Sequence, residues 1–290
     1  MPAGPAPDGN GAAMTRVHGR TVLITGAASG LGRLMAQRFA GLGAEPVLWD
    51  MDEVGLEATE TLVERESGRP PTTVTVDLTH TGDIDAAVAR TRSVAGDPHV
   101  LVNNAGIITG QWVTELSDAQ VEQVIRVNTV APILLTKRFL PAMLERNAGH
   151  VVTIASAAAL TGVPRLTTYC TTKHAVYGFD DALRHELRAA NANVATTVVC
   201  PFWVNTGFSA GVKTRWAWLL PIVEPDDVVD RIVAAVLRGR RRVSMPWLIK
   251  TVPALRALPP KVTDPIADLL GVNTMMEDFT GRADAFDPMG

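Results

Sequence analysis

Short runs of β-branched and apolar residues alternate with longer amphipathic segments from Arg20 onward. The runs read TVLIT, EPVLW, TVTV, VLVNN, HVVTIAS and VATTVVC, and a segment of helix length follows each of them. Strands that are apolar throughout are typical of parallel sheets with both faces covered by helices. The pattern therefore predicts an α/β fold with a doubly wound, mostly parallel sheet of seven strands and helices on both faces.

The alternating pattern divides the chain into three parts. Residues 1–19 are rich in Pro, Gly and Ala and lack the apolar run of a secretory signal, so we expect a disordered leader in which either Met1 or Met14 is the natural start. Residues 20–246 form one domain. Residues 247–290 form a C-terminal extension with apolar pieces, and no run of about 18 apolar residues predicts a membrane span.

Composition narrows the classes of partner. The net charge is −3 over 290 residues, which gives no electrostatic reason to bind nucleic acid. Cys170 and Cys200 belong to no CxxC motif, so a reduced, cytoplasmic setting is the expectation. The six histidines form neither HxxxH nor HExxH, and we predict no metal site.

A glycine-rich turn follows the first predicted strand, in TVLITGAASGLGRLMAQRF. Gly26, Gly30 and Gly32 allow the backbone to turn tightly and approach a pyrophosphate, which the positive end of the next helix attracts. A lone turn of this kind is weak evidence. Its place after the first strand of an α/β pattern indicates a Rossmann-type dinucleotide site.

The second predicted strand ends in Asp50, eighteen residues beyond Gly32. A carboxylate there can accept hydrogen bonds from both ribose hydroxyls of NAD, whereas the 2′-phosphate of NADP would meet a like charge. At about 4 Å and an effective dielectric of about 20, that repulsion is on the order of 4 kcal/mol, or roughly a thousandfold in affinity. No Arg or Lys at positions 27–29 or 51 offsets it, so NAD is the predicted cofactor.

The segment YCTTKHAVYGF places Tyr169 and Lys173 one helical turn apart on the same face. A tyrosine that acts as a base at neutral pH needs its pKa lowered by roughly three units, or about 4 kcal/mol. A positive charge about 4 Å away supplies energy of that order. By spacing alone, an exposed helical pair is the simpler interpretation. Cys170 and His174 point away from this face and are interpreted as packing or surface residues.

The motifs together resemble the short-chain dehydrogenase/reductase family over residues 20 to about 246. They are TGAASGLG, VDLT, NNAG, RVN, TIAS and YCTTK, in family order and spacing. A narrower likeness, in VLWDMDEVGLE, LPAMLERNAGHVVTIAS and CPFWVNTGF, is to the branch of 17-beta-hydroxysteroid and retinol dehydrogenases, whose substrates are apolar alcohols. The family usually has Pro-Gly where this chain has Pro201-Phe202, but the narrower branch also lacks that glycine.

The resemblance implies a role for each site residue. Tyr169 takes the hydroxyl proton while the substrate carbon gives hydride to nicotinamide, and Ser156 holds the substrate oxygen. Asn128 positions a water that links Lys173 to solvent. Besides Tyr169, Lys173, Asp50 and the three glycines, the implied cofactor-binding residues are Ser29, Leu31, Asp77, Leu78, Asn104, Ala105, Gly106, Pro201, Val204 and Thr206.

The substrate end is less defined by the sequence. Residues 207–225 lie where the family has a mobile lid over the substrate, and they carry several large apolar side chains. A lid of this kind excludes water and favours a bulky apolar alcohol or ketone, although the same residues could simply close the core. The predicted substrate contacts are Phe202, Phe208, Trp216 and Trp218.

A basic run, Arg238 and Arg240 to Arg242, precedes the C-terminal extension. Together with the apolar tail it could form a peripheral membrane-surface patch, although charge runs are more often solvated and the tail could instead pack on a partner subunit. From the resemblance we expect a homodimer or homotetramer that pairs through helices at about 118–146 and 167–190.

The sequence predicts an NAD-dependent oxidoreductase that interconverts an apolar alcohol, of steroid, retinoid or aryl/alkyl type, and its ketone or aldehyde. Two alternatives stay open. One is a reductase of a small or acyl-chain ketone, and the other is a non-catalytic NAD-binding regulator on the same fold. The intact set of Ser156, Tyr169 and Lys173 favours an enzyme.

Overall fold

Seven parallel strands form the centre of the computed structural model, which describes residues 14–281. The sheet has the order β3-β2-β1-β4-β5-β6-β7, so the predicted doubly wound fold is confirmed. The strands are β1 Thr21–Thr25, β2 Glu45–Asp50, β3 Thr72–Thr75, β4 Val100–Asn103, β5 Gly149–Ile154, β6 Val194–Pro201 and β7 Arg242–Met245.

Helices cover both faces of this sheet. Their ends follow local capping chemistry: α7 begins at Pro225, with Asp226 and Asp227 in its first turn, where the helix dipole favours negative charge. The helices are α1 Gly30–Gly41, α2 Glu53–Ser67, α3 Thr81–Ala95, α4 Asp118–Ile125, α5 Ala131–Glu145, α6 Thr167–Ala189, α7 Pro225–Leu237, α8 Val252–Leu255 and α9 Pro260–Leu269.

The core consists of two layers, one on each face of the sheet. Within β1, Val22 and Ile24 pack into one layer and Leu23 packs into the other, and all three side chains are fully buried. This alternation explains why the strands read as continuous apolar runs. The strand order reverses between β1 and β4, which opens a crevice at the carboxyl edge of the sheet.

The described part of the predicted leader is packed on the domain. Val17 is 4% exposed and belongs to the core, and the Thr15 backbone amide donates to Leu237 O at 3.1 Å. The domain therefore begins before Arg20, because an apolar side chain and a backbone amide in residues 14–19 find partners on it. Residues 1–13 of the leader and residues 282–290 of the extension lie outside the described residues.

The extension folds back over the carboxyl edge of the sheet. Ile249, Met275 and Met276 are nearly fully buried, and Trp203 Nε1 donates to Met275 Sδ at 3.2 Å. The arginine run instead leads into β7 and ends at Arg242, the first residue of that strand, whereas the extension follows the last one. The run and the extension thus form two separate surfaces and not one patch. None of the helices within residues 14–281 has the length and apolar content needed to cross a bilayer.

Candidate active site

A cavity of about 1440 Å³ lies at the carboxyl edge of the sheet. Ser156, Tyr169 and Lys173 meet at its centre, with the glycine-rich turn on one side and the extension on the other. Most of the predicted cofactor and substrate residues line it: Gly26, Ser29, Gly30, Leu31, Asp50, Asp77, Leu78, Asn104, Ala105, Gly106, Pro201, Phe202, Val204, Thr206 and Phe208.

The glycine-rich turn has space only for glycine at two positions. A Cβ on Gly32 would lie 2.0 Å from Gly26 O, and a Cβ on Gly26 would lie 2.9 Å from Ala105 Cα. Gly30 has φ +51° and faces open space. The first turn of α1 carries no acidic residue, and the Ser29 side chain makes no capping hydrogen bond. The backbone amides there are thus suited to the pyrophosphate of a dinucleotide.

Asp50 is held at the end of β2 by backbone amides. Its carboxylate accepts from Ala28 N at 2.9 Å, from Met51 N at 2.8 Å and from Asp52 N at 3.2 Å. These bonds fix the carboxylate beside the glycine-rich turn, where it lines the cavity. A fixed acceptor at this place fits the ribose hydroxyls of a dinucleotide.

Arg33 supports this arrangement and was missed by the sequence reasoning. Its guanidinium donates to Thr59 Oγ1 at 2.9 Å, to Gly55 O at 3.3 Å and to Ala28 O. Arg33 thus joins the glycine-rich turn to α2 instead of facing the ribose position. A cation in the first turn of a helix opposes the helix dipole, and that local conflict is the signal that could have identified it.

Asn104 and Thr25 join the two strands that flank the crevice. Asn104 Nδ2 donates to Thr25 O at 2.9 Å and to Gly26 O at 3.2 Å. The Thr25 hydroxyl accepts from the backbone amides of Asn104 and Ala105 at 3.0 and 3.1 Å. The NNAG motif therefore sets the position of the glycine-rich turn relative to β4.

Asn128 lies in a single π turn, Arg126–Val130, between α4 and α5. Its Oδ1 accepts from Ile107 N at 2.8 Å, and its Nδ2 donates to Ile107 O at 2.9 Å and to Thr172 Oγ1 at 3.1 Å. The side chain is 1% exposed. Asn128 therefore holds the residue after Gly106 against α6, and π turns often occur at functional sites.

Tyr169 and Lys173 are buried residues, 7% and 4% exposed, so the exposed helical pair is excluded. Lys173 Nζ lies 5.5 Å from the centre of the Tyr169 ring and donates to Ile154 O at 2.8 Å. Ser156 follows β5, where its hydroxyl accepts from Ala158 N at 3.1 Å and lies close enough to the Tyr169 phenol to lower the pKa of that phenol. The three side chains thus come from α6 and β5 to one point of the cavity.

Burial controls the ionisation of this group. It raises the pKa of Tyr169 far above its ordinary value, and the nearby Ser156 hydroxyl lowers that pKa only in part. Burial also lowers the pKa of Lys173 to about 8, so the amine stays mostly protonated at neutral pH. The protein groups alone therefore hold Tyr169 as a neutral phenol that can donate a proton.

The aromatic residues predicted at the substrate end divide into two pairs. Phe202 and Phe208 line the cavity, and the Phe208 ring centre lies 6.1 Å from that of Tyr169. Trp216 and Trp218 are not among the lining residues. Trp216 Nε1 donates to Leu269 O at 2.8 Å and Trp218 is 78% exposed, because their segment packs on the outside of the extension.

The extension supplies the apolar wall that sequence reasoning did not identify. About half of its lining residues are aliphatic, and the polar ones include Asp264, Asp268 and Arg256, which contacts His174 Nε2 on α6 at 2.9 Å. The apolar pieces of the extension did not indicate which surface they cover. The aliphatic residues of this wall are Leu248, Ile249, Val252, Leu255, Ile266, Ala267, Leu270 and Val272.

Comparison with known proteins identifies the family. A family profile described as short chain dehydrogenase matches residues 20–216. This chain is a short-chain dehydrogenase. It is 39% identical to epidermal retinol dehydrogenase 2 of Mus musculus over 92% of this chain and 87% of that protein. It is 39% identical to estradiol 17-beta-dehydrogenase 11 of Homo sapiens, over 84% and 81% respectively. The branch predicted from the motifs is confirmed.

Solved structures of other short-chain dehydrogenases share this fold. One from Burkholderia phymatum in complex with NAD has a TM-score of 0.76 at 29% identity, covering 86% of this chain and 97% of that one. One from Sphingobium yanoikuyae in complex with NADPH has a TM-score of 0.72 at 28% identity, covering 86% and 96%. This short-chain dehydrogenase therefore has relatives with either dinucleotide.

Proposed function

We propose that this short-chain dehydrogenase interconverts a bulky apolar alcohol and its ketone or aldehyde, with NAD as the hydride acceptor. One observation carries the proposal. Ser156, Tyr169 and Lys173 line the same cavity as the glycine-rich turn and the aliphatic wall. Relatives named as retinol and estradiol dehydrogenases support an apolar substrate of steroid, retinoid or related type.

The substrate oxygen would be held by the hydroxyls of Ser156 and Tyr169. In ketone reduction, the Tyr169 phenol donates its proton to this oxygen, and in alcohol oxidation it accepts that proton. A bound oxidised nicotinamide would supply the hydride acceptor and a positive charge in this cavity. The Lys173 ammonium, which its hydrogen bond to Ile154 O holds in place, lies 5.5 Å from the centre of the Tyr169 ring. Its positive charge would also favour the phenolate.

NAD is proposed over NADP because of the surroundings of Asp50. Three backbone amides hold its carboxylate in place, and the nearby guanidinium of Arg33 is engaged by Ala28 O, Gly55 O and Thr59. No cation of this turn is therefore positioned to pair with a 2′-phosphate, which would meet the Asp50 charge.

The aliphatic wall supports the substrate class. A ligand gains about 25 cal/mol for each Å² of apolar surface that it buries, and the wall provides such surface on the side opposite the glycine-rich turn. Small polar alcohols would gain little there. The proposal therefore expects kcat/KM to rise with the apolar area of the alcohol.

The direct test measures NADH formation with a panel of alcohols that includes a steroid, a retinoid, an aryl-alkyl alcohol and ethanol. We expect turnover with the bulky apolar members and little with ethanol. Better kcat/KM with ethanol or with a short acyl-chain ketone would contradict the substrate class. Bound NAD without turnover of any member would indicate a regulator instead.

We also propose peripheral membrane contact through the extension, on the cytoplasmic side. Trp218, Trp247 and Leu269 are 78%, 65% and 60% exposed, and they lie on the segments that surround the apolar wall. An apolar substrate dissolved in a bilayer would enter the cavity from that side. Flotation with liposomes should be reduced in Trp218→Ser/Trp247→Ser and unchanged in the control Trp112→Ser, and equal flotation of all three proteins would contradict this contact.

Assembly into a homodimer or homotetramer through α5 and α6 is proposed from the family resemblance. Leu144 on α5 is 40% exposed and belongs to this surface. Light scattering after size-exclusion chromatography should give a mass of two or four chains. A Leu144→Glu variant should shift that mass toward one chain, and a monomeric wild type would contradict the proposal.

A further inference from the structure

A second cavity, of about 690 Å³, lies at the amino edge of the sheet, on the side opposite the active site. We call it the basal cleft. Arginines dominate its lining, together with His99 at the start of β4. The lining arginines are Arg16, Arg20, Arg146, Arg184, Arg188 and Arg241.

The arginines of the basal cleft converge from distant segments. Arg20 precedes β1, Arg146 follows α5, Arg188 lies in the last turn of α6, and Arg16 belongs to the segment before β1. No Asp or Glu is present among the described residues that line the cleft. A cleft lined by one sign of charge concentrates the opposite charge from solution. The cleft is thus positively charged although the whole chain has a net charge of −3.

Two of the guanidinium groups, those of Arg146 and Arg20, contact neutral partners. Arg146 donates to Ala148 O at 2.8 Å, to Asp97 O at 3.4 Å and to Pro98 O. Arg20 Nη1 contacts His99 Nε2 at 3.1 Å. Carbonyl oxygens and a neutral imidazole orient a guanidinium without cancelling its charge. Arg184 differs, because it forms a 2.6 Å ion pair with Asp181.

Positive charges of the cleft act on the pKa values of His99 and Arg146. Burial lowers the pKa of His99, and the positive charges of Arg146 and Arg20 lower it further, against a smaller opposite effect of Glu45. Burial also lowers the pKa of Arg146, where Asp97 acts to raise it and Arg20 to lower it. The fold thus brings like charges together, and an anion between them would relieve their repulsion.

We propose that the basal cleft is a binding site for a phosphate-bearing anion. Planar guanidinium groups pair with phosphate oxygens through two parallel hydrogen bonds, and several of them converge here. The site is distinct from the cofactor site: β6 runs from Val194 in the cleft to Pro201 in the active-site cavity, a separation of roughly 25 Å.

The test uses full-length protein with saturating NAD, so that the glycine-rich turn is occupied, and titrates inorganic pyrophosphate by calorimetry. The cleft variant is Arg16→Gln/Arg188→Gln, because both side chains are exposed and their replacement spares the core. The matched control is Arg90→Gln/Arg231→Gln, two exposed arginines outside the cleft. Melting temperature and NAD-dependent turnover should be the same in all three proteins.

We expect one pyrophosphate site in wild type and control, and an affinity about tenfold weaker in the cleft variant for each charge-assisted hydrogen bond that the substitutions remove. Affinity should also fall when the salt concentration rises from about 50 to about 200 mM, because salt screens charge pairs.

A parallel arm replaces pyrophosphate with phosphatidic acid vesicles. Binding to vesicles alone, abolished in the cleft variant, would assign the phosphate to a lipid headgroup. Absence of binding in both arms, or equal binding by cleft variant and control, would overturn the proposal.

Discussion

The two halves of the active-site cavity are built in different ways. The cofactor half consists of the glycine-rich turn, Asp50 and the NNAG segment, and directed hydrogen bonds fix it. The substrate half consists of Phe202, Phe208 and the aliphatic wall, which are held by apolar packing.

Because of this difference in construction, the two halves select their ligands in different ways. Backbone amides and a fixed carboxylate recognise polar groups by direction, so a small displacement of them changes affinity. Aliphatic side chains recognise a ligand by its volume and apolar area. The proposed catalytic residues lie where the halves meet, with Tyr169 and Lys173 on α6 and Ser156 after β5.

The largest effect should come from the residue between the halves. Tyr169→Phe removes the proton donor and should reduce kcat by about 10² to 10⁴, while the Kd of NAD is unchanged. Tyr177→Phe, on the same helix, is the matched control and should keep wild-type turnover. Rates measured by NADH absorbance that are equal in Tyr169→Phe and Tyr177→Phe would refute the role of the phenol.

The next largest effect should be confined to the cofactor half. Asp50→Asn removes the charge that faces a 2′-phosphate, and the ratio of kcat/KM for NAD to that for NADP should fall by roughly a hundredfold to a thousandfold. Asp52→Asn removes a charge two residues away and keeps the cap of α2, since Asn caps as well as Asp. An equal decrease of this kcat/KM ratio in both variants would contradict the role of the Asp50 carboxylate in cofactor selection.

A stability change is expected at the other end of β5. His150 is fully buried between Thr15 and Thr197 hydroxyls at 2.7 and 2.8 Å, and burial lowers its pKa to about 3. Its neutral form therefore stabilises the fold above pH 6.5, the ordinary pKa of histidine. That contribution is lost as the pH falls through this range toward 3, and by about pH 5 the loss is about 2 kcal/mol.

The measurement for His150 is urea unfolding near neutral pH and near pH 5. The gap in unfolding free energy between wild type and His150→Gln should narrow by about 2 kcal/mol on acidification. The control is His185→Gln, because His185 is exposed on the surface. Both KM values should be unaffected, since His150 touches neither half, and a constant gap for His150→Gln would contradict its neutral burial.

The smallest effect is expected in the substrate half. Leu255→Ala removes part of the aliphatic wall and should lower kcat/KM for a bulky apolar alcohol about tenfold, with the KM of NAD unchanged. Leu258→Ala, in the same extension but 44% exposed and outside the wall, is the control. Equal losses in both variants would show that the wall does not contact substrate.

The part of the site that could be predicted from the sequence consists of local motifs. The glycine-rich turn, Asp50 and Tyr169 with Lys173 each follow from residues close together along the chain, and the structure brings them to one cavity. Trp216 and Trp218 look the same as Phe208 in sequence, but only Phe208 lines the cavity. The sequence could not separate them, because an aromatic side chain buries against any apolar surface that the fold offers.

The strands and helices of the sheet domain and the residues of the cofactor half could be predicted from the sequence alone. Those features depend on periodicity, on capping and on positions that admit only glycine, all of which act over short stretches of chain. Tertiary structure alone decided that residues 247–281 cover the substrate half, as when Trp203 meets Met275 72 positions away. It also gathered the arginines of the basal cleft from separate segments. Hydrophobic attraction has no direction, so an apolar pattern predicts that a segment is buried, and only the folded chain determines which surface covers it.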